Sequence, residues 1–144
     1  MRYLSRNLLV YSQKRAMLIN SASHVIYDVH FEGITNSKAQ SIAVEFFELM
    51  GHIYSVFAIE NNVVVFKDYQ QAGKLGYASA AKPLQMIFDN ASNQLVLLAS
   101  LGDKLQTYSI DVLNLVVEEL QSIKVDDVIS THRTAKYFAL KQAE

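Results

Sequence analysis

The chain contains no cysteine, which excludes disulfides, thiolate zinc sites and cysteine nucleophiles together and fits a reducing compartment. Charge of one sign is also missing: 13 basic and 14 acidic residues leave a net charge of -1. No global field draws in nucleic acid, anionic lipid or acidic substrates. A single proline and five glycines form no flexible linker, and there is no low-complexity tract or clear repeat. Long apolar runs are absent too, since the strongest, Leu95 to Ala99, falls far below the roughly 20 residues of a membrane-spanning helix. Between Arg2, Arg6 and Lys14 only Leu8, Leu9 and Val10 could serve a signal peptide, and that is too short for its apolar core. The expectation is a cytoplasmic protein that engages neither membrane nor nucleic acid and carries no cofactor.

What is present is a 144-residue chain with 51% hydrophobic residues, enough for one domain, residues 1–144, that buries about two-thirds of its unfolded surface. From His24 to Glu32 polarity alternates with period two, the pattern of a half-buried strand. Weaker strand patterns precede it in Tyr3 to Ser12 and Ala16 to Asn20. After the break at Gly33 to Asn36, Ser37 and Gln40 have capping-box spacing. Ala39, Ile42, Ala43, Phe46, Phe47 and Met50 then recur at helical intervals before Gly51, so the spacing predicts a helix over 37–50.

His52 to Ile59 is apolar on both faces, which predicts an interior strand, and Glu60-Asn61-Asn62 offers a turn into Val63 to Asp68. Residues 69–91 predict a helix in two pieces with Pro83 in the first turn of the second. Leu95 to Ser100 and Leu105 to Ile110 read as a second hairpin. Asp111 is placed to cap a helix through Ile123, and 126–141 suggests a last amphipathic helix. The expected class is therefore α+β, a mainly antiparallel sheet built from hairpins and packed with three or four helices. A competing all-β reading treats Pro83 to Asp111 as a β-propeller blade, opposed by the capped segment after Ser37 and by a length too short for a closed propeller.

Candidate chemistry centres on His24, Asp28, His30 and Glu32, which period two sets on one strand face where imidazoles and carboxylates could meet a divalent metal. The same face reads equally as the solvated side of an amphipathic strand, because same-face neighbours are about 7 Å apart. His132 beside Asp126 and Asp127 could form a base with its orienting carboxylate, but no serine motif accompanies it. Gly73 and Gly76 lack the spacing of a phosphate-binding loop and read as packing or bending positions. Arg2, Arg6, Lys14 and Arg15, with no acid before Asp28, make a basic N-terminal edge that also suits protection of an edge strand. Phe46, Phe47 and Met50 are the candidate interface residues, since an apolar helix face with nothing to cover it would favour a homodimer.

Residues 37–110 resemble the roadblock family. The likeness lies in an amphipathic helix ending Leu49-Met50-Gly51, a hairpin from Ile53 through Val65, an alanine-bearing helix around Ala72 to Ala81 and the strand pair Leu95 to Ile110. That resemblance implies a small non-catalytic dimerising module that scaffolds complexes, often beside small GTPases. Three functions follow from the sequence: a homodimeric protein-interaction scaffold, regulatory for a protein partner; an inhibitor or immunity-type protein presenting Glu118, Glu119, Asp126 and Asp127; and a metal-binding protein or small enzyme using His24, Asp28 and His30.

Overall fold

The computed structural model describes residues 2–4, 7–12, 14–20, 22, 24–31, 42–79, 81–102, 104–124, 128–133 and 138–142. Every regular element among them is a strand. The first sheet contains β1 (Arg2–Leu4), β2 (Asn7–Tyr11), β3 (Arg15–Ile19) and β4 (Val25–His30). The second contains β5 (Ile42–Leu49), β6 (His52–Ile59), β7 (Asn62–Lys67) and β8 (Gln70–Gly76). The third contains β9 (Lys82–Asp89), β10 (Gln94–Leu101), β11 (Lys104–Asp111) and β12 (Val116–Lys124), and β13 (Val128–Arg133) pairs with β14 (Phe138–Gln142). Each sheet is an antiparallel meander in chain order.

The expected α+β class is thus corrected to all-β, and each expected helix has a physical reason for being a strand. In β5 both faces are buried: Ala43, Phe47 and Leu49 pack toward the third sheet, whereas Val44 and Phe46 pack toward the first. With no solvated side the period of two disappears, and apolar residues fall by chance at helical intervals. Asp111 does cap, but what it closes is a turn over 112–115 that leads into β12 rather than a helix. Pro83 sits near the start of β9, which is an edge strand of its sheet, where the missing N–H costs no ladder bond. The segment 126–141 contributes β13 and β14 instead of a helix. The two helices in the roadblock resemblance coincide with β5 and β8. No helix among the described residues is long and apolar enough to cross a membrane.

The first strand of each sheet packs on the first strand of the next, β1 on β5, β5 on β9 and β9 on β13. β1 and β13 share no comparable packing. Sequential meanders that pack through their first strands follow the pattern of neighbouring β-propeller blades. One apolar cluster joins the first and second sheets through Leu9, Leu18, Phe31, Phe57 and Phe66, and another joins the second and third through Val56, Val63, Met86, Leu97 and Tyr108.

Polar links fasten the same junctions. Asn7 Nδ2 donates to Tyr69 Oη at 3.2 Å, and the Tyr27 and Ser55 hydroxyls lie 2.8 Å apart. Burial pushes the Tyr27 hydroxyl up to about 12 despite that bond to Ser55. Between the second and third sheets, buried Glu45 accepts the Phe88 N–H at Oε2, 2.9 Å away, and the Phe46 N–H at Oε1, 3.1 Å away. Phe88 lies on the edge strand β9, so the carboxylate supplies an acceptor to an edge amide that water does not reach. Gly73 on β8 admits Leu115: an added Cβ would stand 2.8 Å from Leu115 Cδ1.

Candidate functional site

A concavity of about 410 Å³ opens at one end of the junction between the second and third sheets. Its floor includes Phe47 of β5 and Phe88 of β9, stacked with ring centroids 4.1 Å apart and planes 9° from parallel. Turns make its lips. The two residues joining β5 to β6 are Met50 at φ 52° and Gly51 at φ 79°, the left-handed pair that matches hairpin twist. Glycine is the natural occupant of that region, whereas methionine there is strained. Met50 is nevertheless 75% exposed, with its side chain at the cleft.

The opposing lip is the turn between β11 and β12. Asp111 Oδ1 accepts the N–H groups of Leu113 at 2.9 Å and Asn114 at 3.0 Å, and Oδ2 accepts Asn114 Nδ2 at 2.8 Å. The Asn114 side chain, then its backbone N–H, hold the Asp111 carboxyl below the usual carboxylate range. This anchoring leaves Leu113 55% exposed on the rim. The turn between β9 and β10 is fixed in the same manner, with Asp89 accepting Ala91 N–H at 2.9 Å and Ser92 Oγ–H at 3.0 Å. Asp111 is the one titratable residue lining the cleft among those described, and its carboxylate is occupied by the turn. The cleft thus combines an apolar floor and the exposed Met50 and Leu113 with the polar side chains of Ser92, Asn93, Gln94 and Ser109, a lining that suits a docked side chain.

The structure does not gather the histidine and carboxylate face. A bulge at Ile26, where β4 pairs Tyr27 with Leu18 but Val25 with Ile19, reverses the alternation and separates His24 from Asp28 and His30. Asp28 is engaged by Arg15, Nε to Oδ1 at 2.8 Å and Nη2 to Oδ2 at 2.5 Å. The bond to Arg15 holds the Asp28 carboxyl below its ordinary value. Glu32 lies outside the described residues, as do Asp126 and Asp127; His132 is on β13, opposite Ala139. Among the described residues no group of three or more potential ligands is positioned for a metal.

Phe46 and Phe47 are consumed by the two sheet junctions, so of the three candidate interface residues Met50 is the exposed one. Glu118 and Glu119 are exposed on β12. A pair the sequence reading missed is His52 with Asp68, in contact through Nδ1 and Oδ2, while Asp68 Oδ1 accepts the Ile53 N–H at 3.0 Å. The hairpin from His52 through Asp68 contained the signal, because its register returns residue 68 beside residue 53. The Ile53 N–H and then His52 hold the Asp68 carboxyl below the usual range. No protein-family model matches the chain, and no curated protein matches it in sequence.

Proposed function

We propose that this protein is a non-catalytic protein-interaction scaffold of the cytoplasm, homodimeric, whose end cleft receives an apolar side chain of a protein partner. Met50 carries the reading. A large apolar residue that is both left-handed and 75% exposed breaks backbone preference and burial preference together, and such uncompensated violations concentrate where contacts are made. Leu113 faces the same cleft from a turn anchored by Asp111.

The test pans a displayed library of random peptides against the full chain and counter-selects with the Met50→Asn, Leu113→Ser double variant. Asparagine accepts the left-handed turn, so the fold is retained while the apolar lips are removed. Peptides with an aromatic or aliphatic anchor are expected, weakened at least about tenfold by the double variant, the loss of one or two buried apolar contacts. Peptides that bind both proteins equally, or no binders at all, overturn the reading.

A further inference from the structure

Two departures from ordinary residue choice meet between the second and third sheets. Leu115 ends the turn from β11 to β12 at φ 56°, in the left-handed region where a Cβ crowds the backbone and glycine or asparagine is the usual occupant. Gly73 lies within β8, where a missing side chain forgoes packing and costs conformational entropy. Its φ is not left-handed, so the backbone there does not call for glycine; the space does. A Cβ on Gly73 would stand 2.8 Å from Leu115 Cδ1 and 3.0 Å from Cδ2. Each choice is unfavourable alone, and the two fit each other: the strained leucine fills a notch left in a strand of the neighbouring sheet.

The turn that carries Leu115 is fixed along its length. Asp111 accepts the Leu113 and Asn114 N–H groups at its start. Val112 is buried in the core shared by the second and third sheets, and Leu115 packs against the same core. Leu113 alone of these apolar residues is exposed, and it lines the cleft. The facing lip, Met50, belongs to the turn between β5 and β6 of the second sheet. Leu115 therefore ties the turn bearing one lip to the sheet that bears the other. Met50 is also left-handed, but its side chain is exposed. One strained residue is available for contact, the other for placement.

We infer that Leu115 and Gly73 are positioning residues for the cleft: the leucine seated in its notch holds Leu113 at the rim, so the cleft is formed before a partner's side chain arrives. The inference rests on the reading of the cleft as a docking site and adds what sets its width. Neither Leu115 nor Gly73 is among the residues that line the cleft, so their effect on binding passes through the placement of Leu113. A pre-formed site loses less of its contact energy to ordering on association.

The test compares the full-length wild type with Gly73→Ala, Leu115→Asn and Leu115→Met, using peptides selected on the wild type. Asparagine keeps the left-handed turn but removes the seated side chain, whereas methionine keeps a long apolar one. Circular dichroism sets a temperature at which each variant is folded. Gly73→Ala and Leu115→Asn are expected to weaken the peptides at least about threefold and to speed solvent exchange of the Leu113 and Asn114 amides, with β6 amides unchanged. Leu115→Met is expected to bind as the wild type does. Gly73→Ala added to Leu115→Asn should weaken binding no further, because the seat is already empty. A purely structural role would lower stability without changing the affinity of the folded protein. Folded Gly73→Ala and Leu115→Asn variants with wild-type affinity overturn the inference and leave the docking reading intact. If the wild type selects no peptide, the docking reading fails by itself and exchange decides the inference: faster exchange at Leu113 and Asn114 supports the seat, and unchanged exchange overturns it.

Discussion

The second and first sheets have the same meander connectivity but opposite surroundings. In the second, β6 and β7 bury residues on both faces, Val56, Phe57, Ala58 and Ile59 against Val63, Val64 and Val65. In the first, Leu9, Ala16 and Leu18 are buried on one face while Val10, Arg15, Asp28 and His30 are exposed. One topology therefore accommodates two sequence patterns, continuous apolar runs in the middle of a stack and alternation at its end. The neighbour, not the strand, decides which is needed.

The largest way to break this contrast is Phe57→Ala. Phe57 packs on Phe31 at 5.2 Å and edge-on to Phe66 at 5.9 Å, so its loss is expected to cost about 3–5 kcal/mol in denaturant unfolding. Val10→Ala, on the open face of the first sheet, is expected to cost about 0.5 kcal/mol in the monomer. Equal losses at the two sites would erase the contrast.

Next in size is Glu45→Ala, which leaves the Phe88 N–H without its acceptor in a buried site and is expected to cost about 1–3 kcal/mol. Glu45→Gln retains an oxygen acceptor and should recover part of that. A Gln variant as unstable as the Ala variant would show that the bond to Phe88 is not what the side chain contributes.

A smaller pair sharpens the junction on the side of the third sheet. Gly73→Ala pushes a Cβ toward the flexible end of Leu115 and is expected to destabilise by about 1 kcal/mol. At Gly76 an added Cβ meets nothing within 4 Å, and Ala there should stabilise by about 0.5 kcal/mol through the unfolded chain. The reverse order would contradict the close approach of Leu115 to β8.

The smallest effects lie on the exposed turns. Met50→Asn relieves left-handed strain and is expected to stabilise by about 0.5–1 kcal/mol, the opposite of what removal of a core methionine would do. Asp68 has a depressed carboxyl pKa in the fold. Its contribution is complete above the unfolded value of about 3.9 and disappears as pH falls through the lower folded value. A wild-type chain and an Asp68→Asn variant should therefore differ in melting temperature at pH 6 and converge below about pH 4. A difference that grew on acidification would reverse the sign.

The legible and illegible parts of the fold divide along the same line. β4, β10 and β11 could be read from alternation and turn residues, and the interior position of β6 followed from its apolar faces. β5 could not, because Val44 and Phe46 serve one neighbour while Ala43 and Phe47 serve another, and periodicity has no solvent reference there. β9 and β12 read as helices instead of strands, because Pro83 and Asp111 are valid helix-start signals that are also at home on an edge strand and in a capped turn. The candidate metal face was lost to the bulge at Ile26, since one inserted residue reverses a period of two without marking the sequence. In the candidate site Met50 was visible as an apolar residue beside glycine, but its role as one lip of a cleft depends on the long-range partners Phe88 and Leu113.

Amide hydrogen exchange resolved by strand, at dilution where the monomer prevails, tests the contrast between the sheets most directly. The slowest amides are expected in β6 and β7, opening only with global unfolding, and the fastest in the outer strands β4 and β12. Equal protection of β3 and β6 in the dilute monomer would contradict the account.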